Sequence, residues 1–194
     1  CVRFCPVQAI DFRDALCGEW MVSDTNYGTM VHARLHVAAE NSGKLVATVR
    51  REARKIAEAT GHPLIIVDGP PGIGCPVIAS VTGASLVLAV TEPTVSGEHD
   101  LKRVLDLTRH FKIPTAVCVN KWDINEVMTE RIEILTKEVG AVPIGRIRYD
   151  VSVTKAQVQG KPVPHFTESP AAQDINTVWQ GLQGMLYPQG NQSS

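Results

Sequence analysis

Three continuously apolar segments, separated by stretches with helical periodicity, constrain the fold of this chain more than any other feature. They cover residues 63–67, 85–91 and 115–119. A strand that is apolar throughout has to be covered on both faces, as in a parallel sheet between layers of helices. We therefore expect an α/β protein with a mostly parallel sheet, flanked by helices on both faces and connected by right-handed crossovers.

Shorter patterns predict the remaining elements. Short strands are expected at 19–22 and 30–35, and a fourth strand of the parallel sheet at 141–144. Apolar residues at helical spacing predict helices over 44–59, 77–81, 99–111, 126–139 and 171–186. Ser96 or one of its neighbours is expected to cap the helix at 99–111.

Composition limits the class of protein. The 194 residues are 44% hydrophobic and 20% charged, which is ordinary for a globular protein with one sizeable core. A net charge of −1 gives no electrostatic reason to expect nucleic acid or an anionic membrane as a partner. No apolar run reaches the roughly 18 residues of a membrane span. Five cysteines without disulfide-scaffold spacing indicate a reducing, cytoplasmic location.

A carboxylate ends the first apolar segment, which reads Leu-Ile-Ile-Val-Asp-Gly-Pro-Pro-Gly from Leu64. Ligands of open α/β sheets bind at the carboxyl ends of strands. Asp68 at such an end is suited to hold Mg²⁺ through water, and Gly72 allows the backbone to approach a γ-phosphate. The alternative is a plain strand-to-helix turn in which Asp68 serves as a helix cap.

Polar side chains also follow the strand at 115–119, in the order Asn120-Lys121-Trp122-Asp123. Asparagine and aspartate at a strand end offer the donors and acceptors that discriminate the edge of a purine. The alternative is a polar turn that caps the next helix at Asn125.

Two cysteines at the start of the chain have the spacing of an iron–sulfur motif. Cys1 and Cys5 lie four positions apart and Pro6 follows, as at the end of a bacterial ferredoxin run. They supply two of the four thiolates that a 4Fe-4S cluster needs, unless they are unrelated thiols. A second possible metal site, His32 with His36 and Glu40 at helical spacing, is disfavoured because that segment has the pattern of a strand.

Four segments together resemble a known family. The chain, from its first residue to about residue 163, is similar to the MinD-superfamily P-loop ATPases that contain an inserted ferredoxin domain, relatives of the Mrp-type and nitrogenase-iron-protein-type ATPases. The segments that carry the resemblance are 41–46 (Asn-Ser-Gly-Lys-Leu-Val), 68–80 (Asp-Gly-Pro-Pro-Gly-Ile-Gly-Cys-Pro-Val-Ile-Ala-Ser), 91–100 (Thr-Glu-Pro-Thr-Val-Ser-Gly-Glu-His-Asp) and 120–123 (Asn-Lys-Trp-Asp).

The resemblance implies roles for individual residues. Asp68 is expected to be the catalytic, Mg-directed switch carboxylate, with Gly72 near the γ-phosphate of ATP. Asn120 is expected to contact adenine, and Lys121 and Asp123 to support that loop.

Further implications concern the later loop and the cluster. Asp150 matches the loop that closes over adenine, although Arg148 stands where relatives often have proline. Cys1 and Cys5 match the last two cysteines of a cluster motif. Residues 1–18 would then be the remnant of a 4Fe-4S ferredoxin module, 19–188 the C-terminal part of the ATPase domain and 189–194 a tail.

The resemblance predicts a homodimeric ATPase that binds ATP or ADP with Mg²⁺ and couples its nucleotide state to electron transfer or to cluster delivery to a client protein. An ATP-dependent dimerising scaffold without a redox role is the alternative. A phosphate loop of the form Gly-x4-Gly-Lys-Ser/Thr is not found in the 194 residues, since Lys44 is followed by Leu45 and Ala38 occupies the first glycine position. We therefore expect the chain to be part of a longer protein and to be inactive by itself.

Overall fold

The computed structural model describes residues 5–7, 9, 16, 18–36 and 43–188. It divides the chain into two compact units, residues 1–69 and 70–194. Most of the expected ferredoxin remnant (1–18) and all of the tail (189–194) lie outside the described residues, so that division stays a prediction. No helix in the described part of the chain is long and apolar enough to cross a membrane.

The first unit contains a β-hairpin and a helix. Strands β1 (Gly18–Thr25) and β2 (Gly28–Leu35) pair antiparallel, and α1 spans Gly43–Thr60. His32 lies in β2, with its Nε2 atom 2.9 Å from Ser23 Oγ of β1. The strand rather than the helix pattern is therefore confirmed here, so His32 does not lie on a helical face. Glu40 lies outside the described residues.

The predicted strand at 63–67 is wrong. Residues 62–70 form neither strand nor helix, and Ile66 is 77% exposed. A strand needs a neighbour to take up its backbone hydrogen bonds. Among the residues that the structure describes, neither the two-stranded nor the three-stranded sheet includes this segment. An apolar sequence favours burial of a segment, but a strand forms only where a neighbouring strand is available to pair with it.

The second unit carries the parallel sheet. Its three strands are β3 (Val87–Thr91), β4 (Thr115–Asn120) and β5 (Val142–Ile147), which pair in parallel in that order. The helices are α2 (Cys75–Val81), α3 (Val95–His110), α4 (Glu126–Glu138), α5 (Val151–Val158), α6 (Val163–Phe166) and α7 (Pro170–Leu186), with a 3-10 turn at Trp122–Ile124.

Both faces of this sheet are covered, which confirms the expected fold class. One face of β4 packs Val117 and Val119 against α3 and α4, where Ile132 is fully buried. Ala116 and Cys118 on the opposite face pack against α7. Burial raises the pKa of the Cys118 thiol to about 12, so it is neutral at physiological pH.

Two glycines allow β5 and α7 to approach closely. A Cβ atom on Gly145 would lie 2.8 Å from Val178 Cγ2, and one on Gly181 would lie 2.9 Å from Ile144 Cδ1. Real side chains do not tolerate such distances without movement of the neighbour. The absence of side chains at these two positions therefore sets the distance at which α7 covers the sheet.

The sequence patterns missed some boundaries and two helices. Helix α3 begins at Val95, and its cap is Thr94, whose Oγ1 accepts a hydrogen bond from the Gly97 N–H at 2.9 Å. Thr94 has the extended backbone that a cap requires, whereas Ser96 is already helical. Helices α5 and α6 were not predicted, because the β-branched residues that begin α5 favour a strand by local propensity.

Candidate functional site

The candidate site lies in the second unit, at the edge of the sheet where the three parallel strands end. The loops after β3, β4 and β5 begin at Glu92, Lys121 and Arg148. Because the strands are parallel, these loops emerge side by side. Four residues selected from the sequence lie in or next to them: Asn120, Lys121, Asp123 and Asp150.

Lys121 connects the first two of these loops. Its backbone is left-handed, with φ of 54°, which is uncommon for a residue other than glycine. Its Nζ atom lies 2.7 Å from Oε1 of Glu92. The side chains of Lys121 and Glu92 are 38% and 47% exposed, so this ion pair contributes at most about 1 kcal/mol. The ion pair restricts the movement of the loop after β3 relative to the loop after β4.

Asn120 and Trp122, on either side of Lys121, have different surroundings. Asn120 ends β4 opposite Ile147, and its half-buried side chain makes no hydrogen bond within the described residues. Trp122 packs against the core below it and lies under Arg146, whose Cζ atom is 5.4 Å from the ring centroid. Asn120 thus has its amide free for a ligand, while Trp122 is part of the support.

Arg146 is itself fixed by a carboxylate. Its Nε and Nη2 atoms donate to Glu133 of α4 at 2.6 and 2.7 Å. Hydrogen bonding to Glu133 raises the pKa of Arg146, which stays charged. A guanidinium that is paired with a carboxylate and lies over an indole has little freedom to move. Arg146 therefore restrains Trp122 in the loop that begins with Lys121.

Asp123 and Asp150 hold the loop after β5. Asp123 Oδ1 accepts the Tyr149 N–H at 2.8 Å, which joins the loops after β4 and β5. Asp150 caps α5 by accepting the Ser152 N–H at 2.8 Å and also accepts the Ala171 N–H at 3.4 Å. These bonds, first of all the one from Ser152, lower the pKa of Asp150. Asp150 is therefore an anion that orders the loop.

Sequence reasoning missed the partner of Arg148. Asp174, on α7, accepts hydrogen bonds from the backbone N–H of Arg148 at 3.1 Å and from its Nε and Nη2 atoms at 2.7 and 2.9 Å. The guanidinium lowers the pKa of Asp174, and the carboxylate raises the pKa of Arg148. No local pattern connects two residues that are 26 positions apart.

The start of α3 also approaches this edge closely. A Cβ atom on Gly97 would collide with the backbone oxygen of Glu92. The next residue, Glu98, is only 5% exposed; it accepts a hydrogen bond from Lys102 Nζ at 2.7 Å and forms an ion pair with Arg131, whose Nε lies at 3.1 Å. These two cations keep the pKa of Glu98 low, the Lys102 hydrogen bond being the main cause. Glu98 thereby links α3 to α4 beside the site.

Two further candidate residues, Asp68 and Gly72, do not belong to the loops after β3, β4 and β5. Asp68 is an exposed residue of the first unit and does not cap α2, whose N-cap is Gly74. Gly72 belongs to the second unit, and its φ of 90° requires glycine. The alternative suggested for the loop after β4 is also present, since Asn125 Oδ1 accepts the Met128 N–H and caps α4.

The cluster cysteines are only partly visible. Cys1 lies outside the described residues, and Cys5 is half-buried, with its Sγ accepting the Ala9 N–H at 3.3 Å. Within the described part of the chain, no three histidine, cysteine, aspartate or glutamate side chains lie together as a metal site would require.

Comparisons with known proteins find relatives by sequence. No protein-family model matches the chain. Over 98 residues it is 32% identical to the uncharacterized protein MJ0578 of Methanocaldococcus jannaschii, covering 50% of this chain and 34% of that protein. Over 129 residues it is 27% identical to the uncharacterized ATP-binding protein MJ0547 of the same organism, covering 64% and 47%. The chain thus spans between about a third and a half of the length of these relatives.

Solved structures with a similar fold are also found. The MinD cell division protein of Aquifex aeolicus superimposes with a TM-score of 0.60 at 25% identity, covering 74% of this chain and 61% of that one. MinD of Pyrococcus horikoshii, in complex with Mg-ADP, gives a TM-score of 0.60 at 18% identity, covering 79% and 60%. The structural neighbours are MinD ATPases of the P-loop NTPase superfamily.

Proposed function

We propose that this chain supplies the base-recognition edge of a MinD-like ATPase that binds ATP or ADP with Mg²⁺. The observation that carries the proposal is the free amide of Asn120 at the end of β4, between loops fixed by Asp123 and Asp150. An unpaired amide at the end of a strand, beside loops held by such hydrogen bonds, is suited to recognise the edge of a purine. The ATP-binding relative and the MinD neighbour with bound Mg-ADP support this choice of ligand.

The proposal assigns the phosphate end of the nucleotide to a different segment. Asp68 would hold Mg²⁺ through water, and Gly72 would bring the backbone near the γ-phosphate. Asp68 is exposed, and the positive φ of Gly72 gives the turn a shape that side chains disfavour. Bound Mg²⁺ would neutralise the charge that develops on the transferred phosphoryl group. Lys121 acts only as a support, because its ammonium is already paired with Glu92.

The proposed redox part depends on the cysteines. Cys1 and Cys5 would supply two ligands of a 4Fe-4S cluster, with which nucleotide state would gate electron transfer or cluster delivery to a client protein. The backbone N–H that donates to Cys5 Sγ supports this assignment, since hydrogen bonds to sulfur are among the features that tune iron–sulfur clusters. The proposed location is the cytoplasm.

A homodimer is part of the proposal. Large apolar side chains are exposed where α3, α4 and α5 begin, around the candidate site. Exposed apolar residues beside a ligand site favour an interface that forms when the ligand is bound. They are Val95 (75% exposed), Ile124 (65%), Val127 (79%), Tyr149 (57%) and Val151 (57%).

The test measures binding of Mg-ATP by the full-length gene product, in wild-type form and with Asn120→Ala. We expect Asn120→Ala to weaken Mg-ATP binding about tenfold, because bound adenine would lose its hydrogen-bond partners. Binding of inorganic tripolyphosphate, which has no base, should be unchanged. Asn125→Ala is the matched control, since that amide caps α4 and is not free. Equal ATP affinities in wild type and Asn120→Ala would contradict the assignment.

The second candidate function is an ATP-dependent dimerising scaffold without a redox role. The exposed apolar residues around the site favour it, because they provide a contact surface whether or not iron is present. Iron and acid-labile sulfide in the anaerobically purified full-length gene product distinguish the two candidates. We expect both to be present and to fall with Cys5→Ser, while Cys118→Ser, in the core, leaves the cluster ligands intact. Wild-type protein without iron would favour the scaffold.

A further inference from the structure

A cavity of about 330 Å³ lies in the second unit, at the end of the sheet opposite the candidate site. It is bordered by the ends of α3 and α4 and by the residues that lead into β4 and β5. Its volume falls at the lower end of the range of small-molecule sites. Apolar residues contribute half of its lining: Leu105, Ile113, Pro114, Val139 and Ala141. A small, partly apolar ligand therefore suits both its size and its lining.

The polar side chains of the lining differ in whether they already have partners. The hydroxyls of Thr108 and Thr115 donate to backbone carbonyl oxygens at 3.2 and 3.0 Å. The Nη2 atom of Arg109 donates to Asp106 at 2.7 Å. The ammonium of Lys112 has no hydrogen-bond or ion-pair partner within the described part of the chain. Lys112 is therefore the charged group of the lining that a ligand can use.

The backbone of Lys112 is in a conformation that glycine normally adopts at the end of a helix. Its φ is 55°, and the next N–H, of Ile113, donates to the Thr108 carbonyl oxygen at 2.9 Å, as in a Schellman cap. Helix α4 ends with the same pattern, but there the left-handed residue is Gly140, with φ of 81°. A side chain in this conformation costs free energy that glycine does not. Such a costly backbone conformation at a cavity suggests a function for the side chain.

The charges around the cavity favour a ligand with a single negative charge. Helices α3 and α4 both end here, and the partial negative charge at their carboxyl ends disfavours an anion with several charges. Arg109 is already neutralised by Asp106. The one unpaired ammonium balances one carboxylate.

We propose that this cavity binds a monocarboxylate with a short hydrocarbon chain. Its carboxylate would pair with the Lys112 ammonium, and its chain would lie against Leu105, Val139 and Ala141. Burial of the chain supplies affinity through the hydrophobic effect, and the charge-assisted hydrogen bond to Lys112 selects the head group. The site is separate from the proposed nucleotide site and does not depend on it.

The experiment titrates the full-length gene product with octanoate in a calorimeter. Octanol, which has the chain without the charge, and acetate, which has the charge without the chain, are the comparison probes. We expect octanoate to bind at one site, and octanol and acetate to bind at least about tenfold more weakly, because each lacks one of the two contributions.

Lys112→Gly should lower the affinity for octanoate about tenfold, to that for octanol, because the charge-assisted hydrogen bond is lost. Glycine fits the left-handed cap, so the unfolding midpoint of this variant should not fall. Its affinity for octanol should equal that of the wild type, which shows that the cavity is intact. Lys137→Ala is the matched control, since it removes a lysine from the last turn of α4, at the same end of the sheet but outside the lining.

A loss of octanoate affinity in Lys112→Gly but not in Lys137→Ala supports the proposal. Wild-type protein that binds octanoate no more tightly than octanol, or Lys112→Gly with the wild-type affinity for octanoate, would overturn it. An equal loss in Lys137→Ala would also overturn it, because it would show a diffuse attraction of anions instead of a site at Lys112.

Discussion

Replacing Asp68 with Asn should lower the ATPase rate of the full-length gene product by about two orders of magnitude. In the proposed function the carboxylate of Asp68 would hold Mg²⁺ through water, and bound Mg²⁺ would supply charge stabilisation in the transition state. A carboxamide has the same shape but no negative charge. Interactions that stabilise developing charge in an active site contribute several kcal/mol to the rate.

The readout is steady-state phosphate release at saturating Mg-ATP, together with the affinity for Mg-ATP. Asp106→Asn is the matched control, because this exposed carboxylate of α3 pairs with Arg109 of the same helix. Asp68→Asn with the wild-type rate would remove Asp68 from the catalytic role. A rate loss of the same size in Asp106→Asn would show a general sensitivity to surface charge instead.

Replacing Ile132 with Ala should destabilise the second unit by about 2–5 kcal/mol. Ile132 is fully buried on α4, in the cluster with Leu101, Val117 and Val119. Removal of three carbon atoms leaves a cavity between two helices and the central strand. The surroundings cannot close it freely, because β4 is packed on its other face against α7.

Urea unfolding of the same protein measures this loss, followed by tryptophan fluorescence, to which Trp122 contributes from a position packed against the same cluster. Ile134→Ala is the control on the same helix, since Ile134 is 58% exposed. It should change the free energy of unfolding by no more than about 0.5 kcal/mol. Equal midpoints for Ile132→Ala and the wild type would mean that this cluster does not limit stability.

Much of the second unit could be predicted from its sequence, because a strand buried on both faces has a continuous run of apolar residues. The strand at 115–119 is apolar throughout, and it is the central strand with helices on both sides. Helix α7 was predicted from 171, and Val178 and Leu182 are buried as their spacing requires. The polar residues directly after this buried strand made Asn120 a candidate, since strand ends in such sheets form one edge, whereas Asp150 was selected from the family resemblance.

The interactions that hold the candidate site together could not be predicted. Asp174 occupies α7, and nothing in its neighbourhood in the sequence indicates Arg148 as its partner. The same applies to Arg131 and Glu98, which meet across two helices. Charged residues on helices have the same pattern whether they face water or one another, so only their positions in space distinguish the two.

The sequence by itself determined which segments have to be buried and which polar groups stand at the ends of strands. It determined this because hydrophobic periodicity and capping chemistry act over a few neighbouring residues. Only the tertiary structure decided which of these segments are buried and which of these polar groups have partners. It paired 115–120 with strands on both sides, left Ile66 exposed, covered Trp122 and left Tyr149 accessible. These outcomes depend on contacts between residues that are distant in the chain, for which local patterns carry no information.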